Sequence, residues 1–249
     1  MTGYAERSGQ RLLPRGWRHL ALQFAIWIGF YVVYQAVRGV ADRGVGQAFW
    51  NGTHIIELQY RLGLLFEPAL QQIVEGSSLL ITATSVTYWL SQFAVVGLSL
   101  LWVYFRHHDR FADFRNWLIG ANLVGLVGYV LMPTAPPRMF PEWGFSDVLA
   151  EHSAVNQSSV AFAANPFAAM PSLHAMDSLI VGLMMASLAR TWPTRILWLL
   201  WPAWVSFAVM GTGNHFWLDC AVGMLIALAT GAVLFRRRFG GVLRAAVRG

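Results

Sequence analysis

The stretch NPFAAMPSLHAMDSLI, residues 165–180, begins like a loop and ends like a membrane helix. Its first helical turn carries Ser172, His174 and Asp177. Ionisable groups at membrane depth are costly and normally mark a functional site. Pro171 is predicted within the first turn, where its missing N–H leaves no donor unpaired. The free N–H groups and the dipole at this end of the helix predict a binding site for an anion.

The composition around this stretch predicts a membrane protein. Of the 249 residues, 56% are hydrophobic and 12% are charged, and 12 are Trp. Apolar stretches of about 18 residues, which as helices nearly cross the hydrocarbon layer, recur along the chain. Charged and apolar residues of the segment 39–76 have the spacing typical of helices lying in the membrane interface. We predict an all-α polytopic protein with six transmembrane helices, at approximately 20–37, 78–105, 117–132, 171–189, 195–210 and 216–235.

The arginines predict how the chain is oriented. All 18 basic residues are Arg, and with a cytoplasmic N-terminus 14 of them fall in cytoplasmic segments. The other side holds only Arg38, Arg43, Arg61 and Arg138. The positive-inside rule therefore predicts that both termini are cytoplasmic. Attraction to anionic lipid headgroups accounts for the net charge of +6, so no nucleic-acid partner is expected.

The chain is predicted to form one domain with three parts. Residues 1–77 comprise a cytoplasmic N-terminal segment, the first transmembrane helix and the interfacial helices. Residues 78–235 form the membrane core, and residues 236–249 form a basic cytoplasmic tail. The lone cysteine, Cys220, excludes an intrachain disulfide. The all-arginine, alanine-rich composition is typical of a bacterium with a GC-rich genome, which predicts the bacterial plasma membrane as the location.

Two further polar clusters lie at helix ends. In PTAPPRMF, residues 133–140, the prolines end the third span and hold Arg138 near the membrane surface. GTGNHFWLDC, residues 211–220, opens the sixth span. There His215 and Asp219 share a helix face, so the carboxylate can accept a hydrogen bond from the imidazole. The predicted topology places both clusters and the opening stretch on the extracytoplasmic face, which indicates one functional site.

At these residues the chain resembles the type 2 phosphatidic acid phosphatase superfamily. PSLH at 171–174 is similar to the second family motif, Pro-Ser-Gly-His, and HFWLD at 215–219 is similar to the His-x-x-x-Asp end of the third. The resemblance covers roughly 78–235 and implies the helical membrane core of that family. The lysine-containing first motif is absent, and Val209 stands where the third motif has Arg. The clusters look more like the inositol phosphorylceramide synthase branch, which moves phosphorylated headgroups between lipids.

The resemblance implies a mechanism without a metal or another cofactor. His215 attacks the phosphorus and forms a phosphohistidine, Asp219 holds the other ring nitrogen, and His174 protonates the departing oxygen. His174 then deprotonates water or an alcohol, which attacks the phosphohistidine. The partners implied are a phosphorylated lipid, such as a phospholipid or a polyprenyl phosphate, and a water or alcohol acceptor. Headgroup transfer, with inositol phosphate among the candidates, is favoured over hydrolysis.

Other residues are candidates for binding the substrate. The phosphate ligands expected are Arg138, the Ser172 hydroxyl with the backbone N–H groups near it, and Asn214, the last from its position alone. Asp177 is expected either to orient His174 or to hold a hydroxylated headgroup, and a polar contact within the bundle is the alternative.

Two other functions are open to the same residues. Two His and one Asp could bind iron or zinc in a metal-dependent membrane enzyme, although Arg138 would then lie beside a cation. A transporter or an assembly subunit could use polar helix ends for packing or for a substrate path.

Overall fold

The computed structural model describes residues 13–41, 44–152 and 167–247, and every named element in these ranges is helical. The all-α prediction is therefore confirmed. A π-helical segment, Ser91–Val95, joins the helices Ser78–Leu90 and Val96–Arg106 without a break, and two 3₁₀ turns, Pro137–Met139 and Pro141–Trp143, follow the helix His108–Leu131. The α-helices are α1 Gly16–Ala41, α2 Val45–Arg61, α3 Glu67–Glu75, α4 Ser78–Leu90, α5 Val96–Arg106, α6 His108–Leu131, α7 Val148–His152, α8 Leu173–Leu188, α9 Trp192–Gly211 and α10 Trp217–Val247.

Five helical segments of the described residues are long and apolar enough to cross a membrane. The span predicted at 171–189 is the 16-residue helix α8, which at 1.5 Å per residue is about 24 Å long and is not among the five. The span predicted at 195–210 is longer than expected, since α9 has 20 residues. The five segments are Gly16–Val37, Ser78–Arg106, His108–Leu131, Trp192–Gly211 and Trp217–Arg236.

Two observations concern the ends of the chain. Helix α10 continues through most of the segment 236–249, which was predicted as a basic cytoplasmic tail. Of the arginines that predicted the orientation, Arg7, Arg11, Arg43 and Arg248 lie outside the described residues.

Helix α8 is the centre of the bundle. It packs against α9, α10, α6, the π-helical segment and α5, and most of its residues are buried. The surrounding helices expose large apolar side chains, among them Leu98, Leu131, Leu197 and Leu225. Soluble proteins rarely expose so much apolar surface, and lipid around the outer helices accounts for it. The chain is therefore a membrane protein in which α8 is shielded by its neighbours.

Helix α8 begins at Leu173, two residues after its predicted start at residue 171. Ser172 is the N-cap, and its hydroxyl accepts a hydrogen bond from the Ala175 N–H at 3.3 Å. Pro171 precedes the cap, so the prediction that it lies within the first turn is wrong. The helix begins at Leu173 because a serine with extended backbone satisfies an N–H of the first turn better than proline can.

Close packing against α10 holds this helix start in place. The Ser172 N–H donates to the Asp219 carbonyl at 3.0 Å. A Cβ on Gly223 would lie 2.3 Å from the Ser172 carbonyl oxygen and 3.5 Å from the Met176 Cβ. Glycine is required at this position because any side chain would push α10 away from α8.

Gly223→Ala is expected to destabilise the protein by about 1–3 kcal/mol, since overpacking against a backbone atom cannot be relieved by a rotamer change. The melting temperature of the purified protein in detergent measures this loss. Gly120→Ala is the matched control, because a Cβ at that helical glycine has no atom within 4 Å. Equal melting temperatures for the two variants would contradict the packing argument.

The segment predicted to hold interfacial helices forms α2 and α3, and both pack against the loops that carry the polar clusters. Ile56 of α2 packs in one apolar cluster with Phe140 and Phe216. Glu67, at the start of α3, is fully buried and accepts hydrogen bonds from Gln59 Nε2 at 2.6 Å and from the Trp217 N–H at 2.9 Å. Burial raises the pKa of Glu67. This segment therefore anchors the N-terminus of α10.

Candidate active site

The three polar clusters converge at one end of the helix bundle. His174, at the start of α8, and His215, in the loop before α10, have ring centroids 5.6 Å apart with the rings edge to face. Both side chains line a cavity of about 700 Å³, together with Arg138 and Asn214. Tyr88 of α4 stacks on the His174 ring with centroids 4.7 Å apart. Residues far apart in the chain thus meet around one cavity.

His215 is held in one tautomer. Its Nδ1 lies 2.8 Å from the Ala169 carbonyl oxygen. A carbonyl only accepts, so Nδ1 carries the hydrogen and Nε2 carries a lone pair. Burial lowers the pKa of His215 to about 4; the hydrogen bond to Ala169 acts to raise this pKa, and the Arg138 charge acts to lower it. The ring is therefore neutral at neutral pH, and Nε2 can act as a nucleophile.

Asp219 lies beside His215 but is not the closest acceptor for its N–H. The Asp219 Oδ2 is 3.5 Å from Nδ1, and it accepts the Phe216 N–H at 2.8 Å. Phe216 precedes α10, so the carboxylate has the geometry of the acidic residue in a capping box. The expectation that Asp219 holds the other ring nitrogen is thus modified, because the Ala169 carbonyl oxygen is the nearer acceptor for the Nδ1–H, at 2.8 Å against 3.5 Å. Among the described residues, Asp219 Oδ1 has no hydrogen-bond partner.

Arg138 lies in the first 3₁₀ turn, and three contacts position it. Its backbone N–H donates to the Gly213 carbonyl at 2.9 Å, and its Nη1 donates to Asn214 Oδ1 at 2.5 Å. Its Nε lies 3.5 Å from an oxygen of Asp147. The side chain is only 21% exposed. The guanidinium is therefore preorganised beside the histidines and keeps further N–H donors for an anion.

Asn214, predicted as a phosphate ligand, has its polar atoms engaged. The side-chain oxygen accepts from Arg138, and Nδ2 donates to Thr212 Oγ1 at 2.9 Å and to the Thr212 carbonyl at 3.2 Å. The residue lines the cavity, but its contacts are those of a group that orients Arg138.

The loop around Gly213 has no room for a side chain. Gly213 has φ +73°, and a Cβ there would lie 2.5 Å from the Ser146 carbonyl oxygen. Gln71 Nε2 donates to the same carbonyl at 2.9 Å, and the Ser146 hydroxyl hydrogen-bonds to Glu75. Helix α3 thus positions the loop that brings Asp147 to Arg138.

Ser172 does not line the cavity, although Leu173 and His174 next to it do. It is fully buried, and its hydroxyl caps α8. That its hydroxyl binds phosphate stays a prediction, and in this structure the hydroxyl accepts the Ala175 N–H as the helix cap.

Asp177 does line the cavity, one turn beyond His174. Its Oδ1 accepts from Asn122 Nδ2 at 2.7 Å, and its Oδ2 accepts from Gln92 Nε2 at 3.3 Å. Neither bond goes to His174, so this carboxylate does not orient that ring directly. Sequence reasoning missed Tyr88, Gln92, Asn122 and Asp147, because no motif marks them.

Within the described ranges, no group of three His, Cys, Asp or Glu side chains lies close enough together to hold a metal ion. His174, His215 and Asp219 are neighbours, but Asp219 turns its carboxylate to the helix start and the Ala169 carbonyl engages Nδ1 of His215. The arrangement instead offers a neutral imidazole nucleophile, a second imidazole and a guanidinium around one cavity.

Comparison with known proteins gives one family. The family model described as the PAP2 superfamily matches residues 53–233, a range that begins within α2 and includes all three clusters. Neither the curated proteins nor the solved structures contain a match to the chain.

Proposed function

The chain belongs to the PAP2 superfamily, and from that premise we propose that it transfers a phosphoryl group or a phosphorylated headgroup from a lipid through a phosphohistidine. Membership indicates a phosphatase-type lipid enzyme in general. The observation that supports the finer proposal is the approach of neutral His215, His174 and Arg138 around one cavity.

In the first half-reaction, His215 Nε2 attacks the phosphorus in line. The new N–P bond replaces the bond to the leaving oxygen, which takes a proton from His174. In the second half-reaction, His174 takes a proton from water or an alcohol, whose oxygen attacks the phosphorus and releases Nε2. Arg138 is placed to neutralise the charge that builds on the phosphate oxygens. Asn214 and Asp147 position Arg138, and Asp219 with the Ala169 carbonyl fixes the His215 ring.

The shape of the cavity supports a lipid substrate. From the histidines it extends between α1 and the α4–α5 helix, along apolar and aromatic walls. Such walls suit acyl or polyprenyl chains, while the few polar groups at one end suit a headgroup. Among the lining residues are Phe24, Trp27, Phe30, Phe93, Leu100 and Leu101.

We favour transfer to an alcohol over hydrolysis, as in the inositol phosphorylceramide synthase-like branch. Two cationic phosphate ligands of the phosphatase motifs are absent from the chain, and an apolar cavity filled by a lipid limits the access of water. Incubating the purified protein with a panel of phospholipids and polyprenyl phosphates, followed by mass spectrometry, tests this. A new phospholipid supports transfer, free phosphate supports hydrolysis, and no product from any donor contradicts the proposal. Activity lost in chelator and restored by one metal would support the metal-dependent alternative.

We further propose that the catalytic end of the bundle is extracytoplasmic and that both termini are cytoplasmic, in a bacterial plasma membrane. In this arrangement α8 crosses as a sixth, protein-shielded span. Residues 78–235 form the catalytic core, and α2 and α3 of the preceding part support its site. The asymmetry of the arginines supports the orientation.

Cysteine labelling of intact cells tests this orientation. Glu142→Cys, in the exposed second 3₁₀ turn, is expected to react with an impermeant maleimide, whereas Asp109→Cys, in the exposed first turn of α6, is expected to react only after lysis. The native Cys220 is buried and contributes little background. The reverse labelling pattern would overturn the orientation.

A further inference from the structure

We propose that Asp177, Asn122 and Gln92 form a subsite that binds hydroxyl groups of a polyol, either in the lipid headgroup or in the acceptor alcohol. The proposal deepens the proposed function and rests on it, since it names the chemistry of the group that lies next to the reacting phosphate.

The three side chains come from three different helical segments and meet at the cavity. Asp177 is on α8, Asn122 is on α6, and Gln92 is in the π-helical segment. All three line the cavity that also contains both histidines. Asp177 follows His174 by three positions on one helix, which places the two Cβ atoms about 5–6 Å apart. A headgroup whose phosphate lies at the histidines can therefore reach this cluster.

The cluster has more acceptors than donors. Asn122 Nδ2 uses both hydrogens, one on Asp177 and one on the Leu118 carbonyl at 2.9 Å. A carboxylate has about four acceptor positions, and Asn122 and Gln92 fill two of those on Asp177. Among the described residues, no donor bonds the side-chain oxygens of Asn122 and Gln92. A ligand here must donate hydrogen bonds, which excludes the phosphate itself.

A hydroxyl fits this pattern better than an ammonium group does. The second N–H of Gln92 has no acceptor among the described residues. A hydroxyl donates to the oxygens and can also accept this N–H, whereas an ammonium group only donates and would leave it unpaired. The described part of the chain contains no salt bridge to Asp177. Buried polar groups are normally hydrogen-bonded, and a bound polyol would complete the cluster.

The backbone at Gln92 supports a binding role over a purely structural one. Residues Ser91–Val95 form a π-helical segment inside an otherwise α-helical span. Such segments are rare and occur frequently at functional sites. Gln92 lies in this segment, lines the cavity and donates a hydrogen bond to Asp177. A contact used only for packing between helices would be expected away from the cavity.

Three soluble phosphate esters of similar size test the subsite without requiring turnover. Glycerol 1-phosphate carries two hydroxyls, propyl phosphate carries none, and ethanolamine phosphate carries an ammonium group. In calorimetric titration of the purified protein, glycerol 1-phosphate is expected to bind about tenfold more tightly than propyl phosphate, the size expected for one or two net hydrogen bonds. Tightest binding of ethanolamine phosphate, or equal affinity for all three esters, would overturn the proposal.

Variants separate ligand binding from packing. Asp177→Asn, which turns one acceptor into a donor, is expected to abolish the tenfold preference while the Kd of propyl phosphate changes by less than about twofold. Gln92→Met, of similar length without the amide, is expected to reduce the preference. Asp109→Asn, on the exposed start of α6, is the matched control and should keep it. An unchanged preference in Asp177→Asn, or an equal loss for all three esters, would overturn the subsite.

Different results would contradict the polyol subsite and the proposed function. Turnover of phospholipids without any headgroup preference in the titrations would remove the subsite and leave the proposed function standing. Selective binding of glycerol 1-phosphate without turnover of any lipid would support the subsite and remove the proposed function.

Discussion

Replacing His215 with Ala is expected to reduce phosphoryl transfer by about 10⁴-fold or more, by analogy with removing a catalytic nucleophile. The reason is chemical, because the ring supplies the Nε2 lone pair that forms the covalent intermediate. His174→Ala is expected to cost about 10²–10⁴-fold, the usual contribution of a general acid and base. Mass spectrometry of lipid products from matched amounts of folded protein measures both losses.

The matched control is His54→Ala. That histidine is exposed on α2 and hydrogen-bonds the Trp50 carbonyl of its own helix, away from the cavity. Radiolabelled donor should also leave an acid-labile phosphoprotein with the wild type and with His54→Ala, and none with His215→Ala. Near-normal product formation by His215→Ala would rule out the phosphohistidine.

The Asp219→Asn variant tests whether the Asp219 carboxylate or the Ala169 carbonyl fixes the tautomer of His215. If the carboxylate alone fixed the ring, the loss would approach that of His215→Ala. Because the Ala169 carbonyl is 2.8 Å from Nδ1 and Asp219 is 3.5 Å away, a milder though still severe loss is expected.

Replacing Arg138 with Ala is expected to cost about 3 kcal/mol of transition-state stabilisation, roughly 10²-fold in rate, by analogy with removing one oxyanion donor. Among the described arginines it is the one that lines the cavity, so it compensates most of the phosphate charge. Arg138→Lys keeps the charge but loses the planar guanidinium and its two parallel hydrogen bonds to phosphate, so a smaller loss of rate than in Arg138→Ala is expected. Steady-state rates and vanadate inhibition of the three proteins measure this series.

Vanadate separates the phosphate interpretation from the metal and transporter alternatives. Its inhibition should weaken in Arg138→Ala in parallel with the rate, whereas a metal site would be indifferent to the change or improved by it. Arg61→Ala is the matched control, since Arg61 is exposed on α2, pairs with Glu57 and does not line the cavity. Wild-type rate and vanadate affinity in Arg138→Ala would show that phosphate is held elsewhere.

Several features follow from local sequence patterns. Runs of apolar residues predict the outer helices because burying an unpaired backbone in lipid is prohibitive, so each run must form its own hydrogen bonds as a helix. The short helix α8 is the exception, since its length falls below the usual span and its neighbours shield it from lipid. The histidine motifs, being local in sequence, indicate the family, and the match over residues 53–233 confirms the superfamily.

A single site containing Arg138, His174 and His215 could be proposed from the sequence. The uneven distribution of arginines predicts a topology in which the three helix ends that carry these residues lie on the same face of the membrane. The contacts that set their chemistry could not be predicted. The acceptor for His215 is a backbone carbonyl, which every residue has, so no residue type marks Ala169. Asp147 reaches Arg138 because α3 positions its loop, and neither residue type nor spacing indicates that contact.

The sequence by itself determined the helical class, the superfamily and the pair of histidines, because hydropathy and short motifs are properties of neighbouring residues. Tertiary structure alone decided that Ser172 caps a helix, that Asn214 holds Arg138, and that Asp177 meets Asn122 and Gln92 at the cavity wall. The three pairings Asn214–Arg138, Asp177–Asn122 and Asp177–Gln92 each join residues more than 50 positions apart. A hydrogen bond requires two atoms within about 3 Å of each other, and for distant residues only the packing of whole helices brings them that close.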